Sequence, residues 1–308
     1  MLTGEWIVKP HRIVRSASAI AAILALTATT HVSAQSSYEH LLTEWRSQRV
    51  ATLKGPDGWL NLAGLYWLEE GPNSFGASAD NDLVTPEGSA PPKLGEFLVG
   101  NGTVTFRAAT GTEILHGRSP VTELLLADDQ EKEATLLTSG SLAWTVIRRM
   151  DRLGVRLRDY DHPAISAFAG IESYAADPSW RLEARFEPYP EPRTIRVPTV
   201  VEGLGWEPTV PGTLEFEAGG QSLSLEAYRS NDEFMIVFAD ATTGDTTYPA
   251  GRYLAAALPG PDGTTVLDFN RAYNPPCVFT EFATCPLATP RNRLPVAVEA
   301  GERYTQKP

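Results

Sequence analysis

The sequence predicts a mainly β protein: an N-terminal β-sandwich, then a C-terminal β-sandwich or barrel, with one short N-terminal α-helix after a signal peptide. Three observations carry this. From Trp59 onward the chain runs in short apolar segments separated by Gly, Asn-Gly or Asp-Asp turn signals, the spacing of strands in a two-layer β fold. Apolar and polar residues alternate in LEFEA and SLSLEA, placing Leu and Phe toward a core and Glu and Ser toward water. One stretch alone, just after the leader, carries apolar residues at convincing helical spacing.

The leader comes first. Lys9, His11, Arg12 and Arg15 precede an apolar run over 17–28, and Val32-Ser33-Ala34 supplies small residues at a cleavage site. That order is a secretory signal peptide. The run is shorter than the roughly 20 residues that span a bilayer, and no cysteine follows the cleavage site to take a lipid anchor. The expectation is an exported protein, periplasmic or secreted, without stable membrane insertion after cleavage; an uncleaved anchor is the competing reading. Cleavage after Ala34 removes Lys9, Arg12, Arg15 and Glu5, taking the net charge from −12 to −14. Such a surface repels phosphate backbones, so nucleic acid is not an expected partner. The short strands and Pro- and Gly-rich connections also lack the regular segments of about 10 residues that an outer-membrane barrel needs.

The remaining elements follow in order. Ser36 with Glu39 forms a capping box, Tyr38, Leu41, Leu42 and Trp45 share one helical face, and Gly55-Pro56 stops the helix. WLNLAGLYWL, EFLV, TVTFRA, TEIL, VTELLL, LAWTVIRR and GVRLRD then read as strands, with Asn101-Gly102 as a hairpin turn. Regularity is lost around DYDHP and ADPSW. A second series begins with RLEARFEPY and continues through RTIRVPTV, TLEFEA, QSLSLEAY, EFMIVFAD, RYLAAAL and TVLDFN, with Gly219-Gly220 as another two-residue turn. The expected organisation is signal peptide 1–34, helix 35–56, N-terminal sandwich 57–160, connecting segment 161–179 and C-terminal β domain 180–308.

GWLNLAGLYWLEEGPNSFG with NDLVTPEGSAP, and TTGDTTYPAGRYL with DFNRAYNPPC, CPLATPRNRL and AGERY, resemble a bacterial and archaeal family catalogued as domain of unknown function 1684. The resemblance extends over nearly the whole chain after the leader and implies membership without an activity. The N-terminal half alone is similar to the opening of a forkhead-associated domain, which implies a β-sandwich. That pattern carries an Arg after the glycine and a later Ser-x-x-His. Here Ala77 follows Gly76, and Ser89 is followed by Ala90-Pro91-Pro92, so phosphopeptide binding is not implied.

No nucleophile elbow, Walker loop, dinucleotide fingerprint or zinc-protease motif is present, and no cofactor is implied. DYDHP places Asp159, Asp161 and His162 together, as a cation site or as a polar turn into Pro163. The only cysteines, Cys277 and Cys285, stand eight apart in a long loop. In an exported chain that spacing points to a disulfide; a metal pair is the alternative, but no His follows at ligand spacing. The polar residues of the C-terminal domain point to a ligand site. Asp240 and Asp268 are the candidate general bases if burial raises their pKa. Arg252, Asn270, Arg271, Tyr273 and Asn274 are the candidate ligand-binding residues, either arginine able to grip a carboxylate with two parallel bonds. The function expected is binding of a small polar or anionic molecule, with hydrolysis left open. The alternative is a non-catalytic binding or scaffolding module of the cell envelope, in which these residues only support the loop.

Overall fold

The computed structural model describes residues 37–304; the signal-peptide features lie outside them. The described residues fall into two units, divided between Glu44 and Trp45. A helix, α1, covers residues 37–54, and its residues from 45 onward belong to the second unit. No helix among the described residues is long and apolar enough to cross a membrane. The protein is mainly β.

The first strand group is a sandwich. Its strands are β1 (Leu62–Trp67), β2 (Gly71–Gly76), β3 (Leu83–Val84), β4 (Gly95–Gly100), β5 (Thr103–Ala108), β6 (Leu115–His116), β7 (Ser119–Pro120), β8 (Glu123–Leu126), β9 (Leu137–Ser139), β10 (Leu142–Arg149) and β11 (Arg152–Asp159). One sheet has the order β1-β11-β10-β9-β6-β7, the other β3-β2-β4-β5-β8. Phe75, Phe97, Phe106 and Trp144 interlock between them, with ring centroids 5.0–5.5 Å apart. This aromatic cluster is fully buried and supplies a large apolar burial per residue. Asn101-Gly102 makes the β4–β5 turn with φ of 54° and 73°, pairing Gly100 with Thr103. The β10–β11 hairpin uses Met150 at φ 56°, a turn with no Gly or Asn-Gly to announce it.

The second group is a nearly closed barrel. It comprises β12 (Arg181–Thr194), the short pair β13 (Val197–Pro198) and β14 (Gly205–Trp206), β15 (Thr209–Ala218), β16 (Gln221–Ser230), β17 (Glu233–Phe238), β18 (Arg252–Ala257) and β19 (Thr264–Asp268). The main sheet runs β18-β17-β16-β15-β12-β19, and its edge strands β18 and β19 approach each other, with Thr265 Oγ1 donating to Ala257 O at 2.8 Å. Leu214, Phe216, Leu225, Phe234, Ile236, Phe238, Leu254 and Leu267 fill the interior, and Leu294, Val298 and Ala300 of the C-terminal segment pack into it. The outer face carries a second cluster of Val210, Tyr228, Val237, Tyr253, Ala283 and Cys285, flanked by Trp59 and Trp206.

Two readings of the sequence change. The strand that begins with RLEARFEPY does not stop at Tyr189 but runs 14 residues to Thr194, taking in the first two residues of RTIRVPTV, while Val197–Pro198 form the separate β13; the ladder to β15 shifts between Pro188 and Arg193, so the prolines fall where no ladder amide is required. Glu226, expected to face water, is buried: it alternates with Leu225 and Ala227, but onto the covered outer face.

Candidate functional site

Arg252 opens β18 and shares its inward face with Leu254 and Ala256, so its guanidinium sits at the barrel end, 5.3 Å from the Phe238 ring centroid. Its Nη2 lies 2.8 Å from Asp240 Oδ2, and the two side chains are 0% and 1% exposed. The same guanidinium donates to the carbonyls of Val298 (2.9 Å), Ala300 and Glu302 (3.3 Å). Asp240 Oδ1 accepts from the Thr242 amide and hydroxyl at 2.7 and 2.5 Å and from the Val298 amide at 3.3 Å. Both carboxylate oxygens are thus engaged by the protein itself. The pair pins residues 298–302 as a strap. Gly301 is required in the strap: its φ is 80°, and a Cβ there would come within 2.5 Å of Ala272 O.

Asp268, Asn270 and Arg271 form a separate group at the end of β19. The buried Asn270 side chain accepts from the Asp177 amide (2.9 Å) and donates to the Asp177 carbonyl (2.8 Å) and to Asp268 Oδ1 (3.3 Å). Arg271 Nε is 3.6 Å from Asp268 Oδ2, with 40% of the side chain exposed. This group ties the turn before β12 to the turn after β19.

Tyr273 and Asn274 join the strap instead. Glu302 accepts from the Asn274 amide at 2.6 Å and from Arg49 Nε at 3.1 Å, and Arg49 Nη2 donates to Asn274 O at 2.8 Å. The Asn274 side chain donates through Nδ2 to Arg303 O (2.9 Å). The Arg49 guanidinium lies over the Tyr273 ring at 4.7 Å. Burial pushes the Glu302 carboxyl above its ordinary value, opposed by the Arg49 charge. Of the seven sequence candidates, four belong to one network around the strap and three to the Asp177 turn.

Cys277 and Cys285 are free thiols; the disulfide expected from their spacing is not formed. They are nevertheless neighbours, with the Cys277 amide donating to Cys285 Sγ at 3.1 Å. The hydrogen bond from the Cys285 thiol holds Cys277 below the ordinary thiol range, against the cost of burial, and the Tyr248 hydroxyl adds to it. The same thiol–thiol bond, then burial, push Cys285 up.

In DYDHP, Asp159 Oδ1 accepts from the Asp161 amide at 3.0 Å, and His162 Nδ1 caps the short helix α2 (Pro163–Ala167) at 3.2 Å from the Ala164 amide. Among the described residues no three His, Cys, Asp or Glu side chains group as metal ligands.

Sequence reasoning passed over two groups. Glu226 Oε1 receives Arg193 Nη2 at 2.8 Å and Tyr189 Oη at 3.1 Å, while Asn292 clamps the Glu226 backbone on both sides. The second is a row of arginines on the outward face of β11. Leu153, Val155 and Leu157 point into the sandwich, so Arg152, Arg156 and Arg158 point out. Arg152 stacks on Trp67 at 4.1 Å. Arg158 donates to Asn61 Oδ1 (2.6 Å) and to Gly58 O. Neighbouring Arg149 pairs with Asp129 at 2.8 Å and reaches Thr284 Oγ1 at 3.4 Å. Arg156 lies 5.5 Å from the Trp59 ring centroid. Among the described residues no carboxylate or carbonyl takes its protons, and its Nε is sealed from solvent without a partner. Burial, then the like charge of Arg149, push its pKa down from 12.5 to about 10. The alternation in RLGVRLR was the signal for this row.

A family model described as "Protein of unknown function (DUF1684)" matches residues 166–303, a narrower span than the resemblance in the sequence suggested. Among solved structures, an uncharacterized protein of Haloarcula marismortui, determined by solution NMR, is 32% identical over 45% of this chain and 78% of that one, with a TM-score of 0.39. A structure of the FhaA FHA domain complexed with the intracellular domain of Rv3910 is 16% identical over 30% of this chain and 97% of that one, with a TM-score of 0.22, too weak to carry fold or function. No curated protein matches the chain.

Proposed function

The chain belongs to the family of proteins of unknown function DUF1684, and we propose that it is an exported protein that binds a small anion of carboxylate or phosphate type at Arg156. The observation that carries this is the largely buried guanidinium without an acceptor. Buried charges in folded proteins are paired, because an isolated ion in a low-dielectric surrounding is costly. Its neighbours Arg149 and Arg158 are bonded to a carboxylate and an amide oxygen, and Arg152, which like Arg156 lies over an indole ring, is exposed to solvent. Arg156 alone of the four is largely buried with no oxygen bonded to its guanidinium, and the charge of Asp129 offsets that of Arg149 only in part. A bound oxyanion supplies what is missing, taking the donor fork while Trp59 covers the guanidinium face.

This reading keeps the anionic ligand expected from the sequence and moves it from the Asp240–Arg252 region to the outward face of β11. It assigns no general base, since Asp240 is saturated by internal donors. Export rests on the order of basic, apolar and small residues over 1–34.

The test is a thermal-shift and calorimetric titration of the mature protein with succinate, citrate and inorganic phosphate, repeated on Arg156→Met. At least one anion should raise the melting temperature saturably in the wild type, as ligand linkage requires, and the effect should vanish in the variant. No response to any of the three, or an equal response in Arg156→Met, overturns the proposal.

A further inference from the structure

We propose that Cys277 and Cys285 form a thiol–disulfide exchange couple, with Cys277 as the attacking sulfur and Cys285 as the resolving one, acting on disulfides of small thiols or of proteins. The geometry makes the two thiols unlike. Cys277 begins the loop on a 3-10 turn, Pro276–Val278, and is partly exposed, while Cys285 is buried against the outer face of the barrel. The Cys277 amide donates to Cys285 Sγ at 3.1 Å, so the two residues are already in contact, and hydrogen bonding from the Cys285 thiol and then the Tyr248 hydroxyl draws Cys277 below the ordinary thiol range. An accessible sulfur stabilised by hydrogen-bond donors is a thiolate nucleophile, whereas a buried thiol is inert until a mixed disulfide is placed beside it.

The exchange balances. The Cys277 thiolate attacks one sulfur of an external disulfide, forming a Cys277 mixed disulfide and expelling the first external thiolate. Cys285 then gives its proton to solvent, and its thiolate, facing the Cys277 amide, attacks the Cys277 sulfur. The internal disulfide forms and the second external thiolate leaves. Two electrons pass from the protein thiols to the external disulfide, which departs as two thiols. The closed loop is short and already folded back on itself in the thiol form, so little chain has to be reorganised.

The experiment uses the full mature chain, reduced and desalted, then mixed with glutathione disulfide at neutral pH and followed by intact mass. Wild type should lose two hydrogens and retain no glutathione. Cys285→Ser should stop with one glutathione on Cys277, and Cys277→Ser should react at least about tenfold more slowly. Equal rates for the two variants, or no internal disulfide in the wild type, overturn the assignment of roles. Because either variant can fold poorly, reduced wild type is also pulsed with iodoacetamide and mapped by peptide. Cys277 should be alkylated about tenfold faster than Cys285, and labelling of Cys285 first overturns it. A wild-type disulfide that resists dithiothreitol until the protein is unfolded is a structural bridge and also overturns it.

Discussion

Replacing Arg252 and Arg156 singly with methionine should move stability in opposite directions, although both are withdrawn arginines in the same unit. Arg252 has Asp240 as counter-ion and three carbonyls of the strap as further acceptors. Removing one partner of a buried pair leaves the other charge uncompensated and costs about 3–5 kcal/mol. At about 2–4 °C per kcal/mol for a domain of this size, the melting temperature falls by about 6–20 °C. Arg156 is the reverse case. Its pKa is held down at about 10 against 12.5, and at about 1.4 kcal/mol per tenfold change in acidity the folded state carries a penalty of about 3 kcal/mol. This penalty is fully present at neutral pH, where the side chain is protonated in both states. It is relieved only as pH rises through 10, where the folded protein releases a proton that the unfolded chain keeps. Methionine keeps most of the apolar stem, so the ligand-free variant should gain about 1–3 kcal/mol. The assay is urea unfolding in an anion-poor buffer, monitored by tryptophan fluorescence. If Arg156→Met is destabilised like Arg252→Met, Arg156 is internally compensated and the anion site loses its basis. If Arg252→Met unfolds at the wild-type urea concentration, the strap is not held by the Asp240–Arg252 pair.

The strap yields further expectations. The raised Glu302 carboxyl means that above 4.5 the folded state binds more protons than the unfolded chain. Wild-type stability should therefore fall relative to Glu302→Gln as pH rises from 4.5 through the folded value; a pH-independent difference in unfolding free energy between the two would remove the effect. Gly301→Ala forces a Cβ against the Ala272 and Phe269 carbonyls at positive φ and should cost more than about 1 kcal/mol, read as a lower urea midpoint. Asn292→Ala strips partners from the Glu226 amide and the Glu226 and Val237 carbonyls; at about 1 kcal/mol per hydrogen bond and more for each group left buried, about 3 kcal/mol should be lost. Expressed with its own N-terminus in a host with a general secretory pathway, the protein should accumulate outside the cytosol beginning at Gln35; a cytosolic product beginning at Met1 would refute the leader.

What the sequence disclosed followed from local chemistry. Asn101-Gly102 and Gly219-Gly220 form the expected two-residue turns, because positive φ is a property of those residues and needs no tertiary context. Strand alternation placed the two cores for the same reason. The unbroken β12 was not legible, since Pro188, Pro190 and Pro192 stop a strand only where the ladder needs their amides, and that depends on the register with β15. Glu226 was misplaced because alternation gives the face of a side chain but not whether another layer covers that face.

The site was harder to read because polar residues in a long irregular segment have two uses with the same composition. The 30-odd residues after Asp268 pack with little regular sheet, and their backbone groups must still be satisfied. Asp240, Arg252, Asn270, Asn274 and Asn292 serve this demand: each binds backbone amides or carbonyls. Abundance of polar side chains in the motif is therefore a measure of how much backbone lacks a strand partner, and it points away from the ligand. Arg156 has the opposite profile. It lies in a regular strand whose amides and carbonyls are paired to β1 and β10, so its side chain has no backbone to rescue, and no carboxylate is bonded to it, the nearest opposing charge, Asp129, being paired with Arg149. A charge that the fold neither needs nor neutralises is the stronger mark of a site, which is why the ligand is placed on the plain strand and the polar loop is read as its support.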